Sequence, residues 1–158
     1  MILNEWEYQV TKERTEGFQR ALAHLNEPNN SLKKTNPIIW QLNVDGLQSL
    51  LDDFTSQMQE YEALTNRDES QPIIFEIENL SELPRILIQA RIASKISQKE
   101  LASRLFIEES QLRRYEDREY ESATLTQLLE VSRVLGLSIQ PKTTLKVGEP
   151  TLLCFDFS

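Results

Sequence analysis

The chain has one cysteine, one histidine and four glycines in 158 residues, and no long apolar run. Each scarcity removes a class of function. With Cys154 alone, no intrachain disulfide and no cysteine zinc cluster can form. No histidine or basic residue stands near it in sequence to lower its pKa, so it reads as a small buried hydrophobe near the C-terminus. His24 falls on a predicted helix, where a lone histidine is far more often a surface or packing residue than a ligand or general base. A Ser/His/Asp triad would have to use it, and no motif points there. Gly17, Gly46, Gly136 and Gly148 are too scattered to build a phosphate-cradling loop. A non-enzymatic protein without metal or cofactor is expected. No stretch approaches the roughly 18 apolar residues that span a bilayer. The opening "MILNEWEYQV" breaks any apolar run with Glu5 and Glu7, unlike a signal peptide, so a cytoplasmic protein is the expectation.

Negative charge is what the chain has in excess, and it is unevenly placed. Of the net −8, residues 1–81 hold 6 Lys+Arg against 14 Asp+Glu, residues 82–136 hold 9 against 9, and residues 137–158 hold 2 against 2. An acidic N-terminal half favours a basic protein partner, whereas a neutral middle segment can still present a locally positive face to nucleic acid.

Periodicity divides the acidic half into two helices. Trp6, Tyr8 and Val10 alternate with polar residues, which reads as a short strand or extended arm, and Thr11 then serves as N-cap. Phe18, Ala21, Leu22 and Leu25 recur at helical spacing until Pro28. Asn36 and Pro37 supply a cap and a first-turn proline for a second helix. Along it Trp40, Val44, Leu47, Leu51, Phe54, Met58 and Tyr61 step by four and three residues in an unbroken seam. Gly46 costs this helix about 1 kcal/mol relative to alanine, which the seam outweighs. A helix from 37 to about 65 is roughly 43 Å long, against roughly 23 Å for one from 12 to about 26. The shorter cannot cover the longer. Part of the seam must meet the rest of the protein, a second copy or a partner, and ordinary core packing carries as much weight as a dimer or partner interface.

The polar stretch "TNRDESQP", 65–72, is the expected boundary. "IIFEI" after it has the β-branched and aromatic composition of a short strand, and Leu153, Phe155 and Phe157 alternate in "TLLCFDFS" after the turn "VGEP". Between these strands, start and stop signals lay out four to five short helices. Ser81 caps a first, with Leu83, Ile86, Leu87, Ala90 and Ala93 on its apolar face. Ser97 and Glu100 form a capping box for a second, carrying Leu101, Ala102 and Leu105. Leu112 and Tyr115 mark the inner face of a third. Thr124 and Gln127 cap a fourth that turns Leu125, Leu128, Leu129 and Leu135 inward before Gly136. The organisation expected is a helical module over 1–66, a linker with a short strand over 67–80, a helical domain over 81–136 and a β segment over 137–158.

"ISQKELASRLFIEESQLRRYEDREYESATLTQLLEVSRVLGL" resembles the Cro/repressor-type helix-turn-helix of the XRE family over about 55 residues. The resemblance implies a lambda-repressor-like domain of four or five helices that binds operator DNA. The family's phosphate-contacting glutamine at the start of the second helix matches Gln98, with Lys99 beside it. Its base-reading positions match Glu108, Glu109, Ser110, Arg113 and Arg114. Its buried ion pair, an arginine of the first helix with a glutamate ending the third, matches Arg91 and Glu116. Two departures stand out. Phe106 occupies a turn position that usually holds glycine, so the turn must avoid positive φ or strain Phe106. Glu108 replaces a more common Lys, Thr or Ser. Two glutamates at a helix start suit the helix dipole by about 0.3 to 1 kcal/mol each, yet they repel phosphates unless one accepts from a cytosine amino group. Arg113 and Arg114, one turn on, can reach guanine or phosphate, with Lys95, Lys99 and Arg104 as further phosphate candidates.

Across the whole chain, "NEWEY", a short helix, a long helix ending "EYEAL", a linker and "LPRILIQARIASKISQKELA" are similar in pattern to HigA-type antitoxins. That similarity implies a homodimer that represses its own operon and covers a small basic toxin. Two rivals remain open: a stand-alone, prophage-type repressor, and a dimeric interaction protein whose helix-turn-helix is silent toward DNA.

Overall fold

The computed structural model describes residues 1–68, 71–77 and 79–139, and within them the chain is mainly helical, with no strand. The helices are α1 (Glu5–Leu25), α2 (Ser31–Thr35), α3 (Pro37–Thr65), α4 (Leu83–Ala93), α5 (Gln98–Arg104), α6 (Glu109–Asp117) and α7 (Leu125–Val134), with a 3₁₀ turn over Leu80–Glu82 before α4. The strand expected at "IIFEI" is absent: residues 72–77 run without regular structure and find no second strand to pair with among the described residues. Cys154 and the strand expected around Leu153, Phe155 and Phe157 lie outside the described residues.

The expected N-terminal arm is helical instead. Asn4, not Thr11, is the N-cap of α1: its Oδ1 accepts from the Glu7 amide at 2.9 Å, and the Glu7 carboxylate accepts from the Leu3 amide at 2.9 Å. This reciprocal pair satisfies the Glu7 amide, which a helix start otherwise leaves unbonded, and the Leu3 amide just before the cap. With six more residues than expected, α1 is roughly 32 Å long and covers most of α3. The seam is therefore turned inward against α1. Tyr8 stacks on Tyr61 with ring centroids 5.3 Å apart, Phe18 stacks on Phe54 at 5.8 Å, and the Trp40 indole N–H donates to the Leu25 carbonyl at 2.7 Å. Asn36 caps α3 from Oδ1 to the Ile39 amide at 3.2 Å, with Pro37 at the first position.

The hairpin and the α4–α7 bundle share one core. Ile2, Leu3 and Tyr61 are buried together with Leu83, Leu87, Ile88, Leu101, Leu112 and Val131. Glu60 of α3 reaches across to α4, accepting from Arg85 Nη2 at 2.8 Å and from Gln89 Nε2 at 2.8 Å. Burial alone would raise the Glu60 pKa, but these donors hold it below the usual carboxylate value. Ser81 does not cap α4. Asn79 caps the 3₁₀ turn, accepting from the Ser81 amide, and α4 starts at Leu83. In α7, Leu128, Val131, Ser132 and Leu135 face inward, whereas Leu125 and Leu129 are exposed.

Helices α4 to α7 all end in the same motif. The amides of Ile96, Ile107, Tyr120 and Leu137 return to the carbonyls of Arg91, Ala102, Tyr115 and Ser132, five residues back. Each motif requires the preceding residue to be left-handed. Those residues are Lys95 (φ 56°), Phe106 (φ 55°), Glu119 (φ 46°) and Gly136 (φ 71°). Only the last has the conformational freedom the position favours. The apolar residue that follows packs into or against the core in each case.

Candidate functional site

The candidate site is built on α5, the turn after it and α6. Ser97 accepts from the Glu100 amide at 3.1 Å and so starts α5, but the expected capping box is half made, because the Glu100 carboxylate instead accepts from Arg104 Nη2 at 2.6 Å. Leu101 and Ala102 hold α5 to the core, and Leu112 and Glu116 do the same for α6. The turn contains Phe106, left-handed and 96% exposed, so the strain named as one alternative is present and no packing offsets it. Glu108 is the backbone N-cap of α6 and makes no side-chain cap bond.

Beneath α6 lies a buried polar cluster. Arg91 donates through Nε and Nη2 to both carboxylate oxygens of Glu116, at 2.6 Å each, and through Nη1 to the Ile96 carbonyl at 3.0 Å. The same Nη2 donates to the Leu3 carbonyl at 2.8 Å. Gln98 Nε2 donates to Glu116 Oε2 at 2.8 Å. A forked guanidinium–carboxylate pair is tolerable in a dry interior only when such extra bonds satisfy its remaining donors and lone pairs. Gln98 is thus 7% exposed and its side-chain amide is engaged inward; a phosphate-contacting role for that amide would require it to leave Glu116.

The other predicted residues are on the surface. Lys99, Glu108, Ser110, Arg113 and Arg114 are exposed, and Glu109 is half-exposed. Ser110, Arg113 and Arg114 recur at three- and four-residue spacing on the edge of α6 opposite Leu112 and Glu116, so the helix is fixed by one side and free on the other. Glu109 accepts from Arg113 Nη2 at 2.5 Å, which neutralises one of the two arginines. Arg114 makes no ion pair with any described residue.

An open cleft of about 750 Å³ runs between the first turn of α1, the end of α3 and helices α4 to α6, and Trp6, Glu7, Lys99 and Arg113 contribute to its walls. Trp6 is 73% exposed. Sequence reasoning missed that the start of α1 flanks this edge of α6, because the two lie about a hundred residues apart and no local spacing links them. Of the seam residues, Trp40 to Phe54 pack on α1, whereas Tyr61, at its C-terminal end, stacks on Tyr8 and also lines the cleft.

Among the described residues there is no group of three His, Cys, Asp or Glu placed to hold a metal ion. His24 is on the surface with Nδ1 3.2 Å from Glu27. No described helix is long and apolar enough to cross a membrane. No protein-family model, no curated protein and no solved structure matches the chain.

Proposed function

We propose that the chain is a sequence-specific DNA-binding regulator in which α5, the Phe106 turn and α6 act as a Cro/repressor-type helix-turn-helix, with α6 entering the major groove. The observation that carries this reading is the mounting of α6. One side is locked through Glu116 to Arg91 and Gln98, and the opposite side presents Ser110, Arg113 and Arg114 to solvent. A helix held rigidly by its inner face, with two guanidinium groups on its outer face, meets the geometric need of groove recognition. Arg114 is poised for guanine O6 and N7 or for phosphate, and Lys99 for the flanking backbone. The acidic α1–α3 hairpin supports the rest of the proposal: a homodimeric, HigA-like antitoxin whose other partner is a small basic toxin.

A titration of labelled DNA from the gene's own upstream region, over a salt series, tests the DNA reading. Specific binding with a falling log K against log salt is expected, lost when Arg113 and Arg114 are both changed to alanine. Wild-type affinity in the double variant would refute α6 as the reading helix. The Glu109–Arg113 pair favours one second reading, a dimeric interaction protein silent toward DNA. Under it, the wild-type protein binds its upstream DNA no better than random DNA.

A further inference from the structure

The long helix α3 has two faces, and only one is fully used. Its seam packs on α1. A second row runs Ile39, Leu42, Gly46, Leu50, then Asp53, Gln57, Glu60 and Leu64, at three- and four-residue steps along one side. At its C-terminal end α4 covers this row, through the bonds of Arg85 and Gln89 to Glu60 and the packing of Leu64 against the core. At its N-terminal end the row is bare. Ile38, next to it, is 73% exposed and Leu42 66%, and a Cβ placed on Gly46 would meet nothing within 4 Å. From Ile38 to Leu50 the bare length is roughly 18 Å, about three turns of a facing helix. Gly46 at its centre permits a close approach of backbones.

The charge beside the row selects the occupant. In its 29 residues α3 carries five acids, Asp45, Asp52, Asp53, Glu60 and Glu62, and no lysine or arginine. Asp45, Asp52 and Asp53 flank the bare stretch, and each accepts from a glutamine amide of its own helix, Gln41, Gln48 and Gln57. None of the three pairs with a cation among the described residues. A second copy of α3 would bring apolar side chains to this row but no positive charge for its carboxylates. We propose that the bare face of α3 from Ile38 to Leu50 docks a basic amphipathic helix of a protein partner, its apolar stripe on Leu42 and Leu50 and its cations on Asp45, Asp52 and Asp53. This rests on the proposed expectation of a basic protein partner and names where on the hairpin it sits.

The test uses the full chain and a synthetic 18-residue helical peptide with leucine at heptad a and d positions and lysine elsewhere, followed by fluorescence anisotropy. Leu42→Asn with Leu50→Asn, which removes the two apolar anchors without adding charge, is expected to weaken binding at least about tenfold. Asp45→Asn with Asp52→Asn and Asp53→Asn should weaken it and flatten its salt dependence. The same peptide with glutamate for lysine should not bind, and Leu125→Asp with Leu129→Asp should bind as wild type. Equal affinity for the Leu42/Leu50 variant would overturn the proposal. So would a self-associated protein by sedimentation that this variant makes monomeric, because a second copy would then be the occupant. Retained circular dichroism of the variants excludes unfolding as the cause. DNA binding is read separately on the same proteins: peptide failure with intact DNA binding sinks only the docking face, and the converse sinks only the helix-turn-helix reading.

Discussion

Phe106→Gly should make the protein more stable, and the size of the gain can be worked from the turn. At φ 55° the Cβ of any L-residue crowds the backbone, costing roughly 1–2 kcal/mol that glycine does not incur. Glycine gives back about 0.4–1 kcal/mol through the greater freedom of the unfolded chain. The ring is 96% exposed, so its removal forfeits almost no packing. The amides of Phe106 and Ile107 that close the motif, to Ser103 at 3.2 Å and Ala102 at 3.0 Å, are backbone groups and remain. The net gain is about 0.5–1 kcal/mol, or a melting temperature roughly 2 °C higher for a chain of this size. Urea unfolding followed by circular dichroism should show a higher midpoint at unchanged slope. Phe106→Ala, which keeps the left-handed penalty, is the control and should stay within about 0.5 kcal/mol of wild type. A destabilised glycine variant, or an alanine variant that gains as much, would refute the argument from φ.

Three other perturbations probe the core and the hairpin. Arg91→Ala should cost about 3–5 kcal/mol by stranding the Glu116 carboxylate, and Arg91→Met with Glu116→Leu should recover most of that loss in the same urea assay. The Tyr120 hydroxyl is buried with no hydrogen-bond partner among the described residues, so Tyr120→Phe should gain about 1 kcal/mol at neutral pH. Burial first, then the Glu116 carboxylate, raises the Tyr120 pKa well above its ordinary value of 10.0. A phenol raised in the folded state contributes stability that is present below about pH 10 and lost above it. Urea midpoints of wild type should therefore fall at alkaline pH, and Tyr120→Phe should shrink that fall; an identical alkaline limb would show that Tyr120 does not titrate with unfolding. Trp40→Phe should cost about 1 kcal/mol by leaving the Leu25 carbonyl without its indole donor, read as a lower thermal midpoint.

Where a local signal was strong, the sequence was legible. The Asn36–Pro37 start gives α3 its observed first residue, and Thr124 with Gln127 makes the reciprocal box that begins α7. The start of α1 is hidden in the sequence because Trp6, Tyr8 and Val10 fit a period of two, while the overriding signal, the Asn4 cap paired with Glu7, is interleaved with them. A helix begun at Thr11 is too short to cover the seam, whereas one begun at Glu5 covers it. In α7, Leu125 and Leu129 looked inward by residue type, but the face was set by Val131 and Ser132 packing on the bundle. At the candidate site, the exposed arginines of α6 follow from helical spacing. The burial of Gln98 does not, because it depends on Glu116 reaching Gln98 and Arg91 across three different helices.

The bond from Arg91 to the Leu3 carbonyl has a consequence for how the protein is made. Ile2 and Leu3 are synthesised well before their burial partners on α4 to α7, which among the described residues extend to Val131. At about 5–20 residues per second they wait roughly 6–26 s for the last of those partners to be synthesised. During that interval the hairpin can close on its own seam through Phe18, Phe54 and Trp40, while the end that carries Ile2, Leu3 and Tyr61 stays unsealed. Among the described residues, the core is sealed only once Ile2 and Leu3 meet partners made more than a hundred residues later.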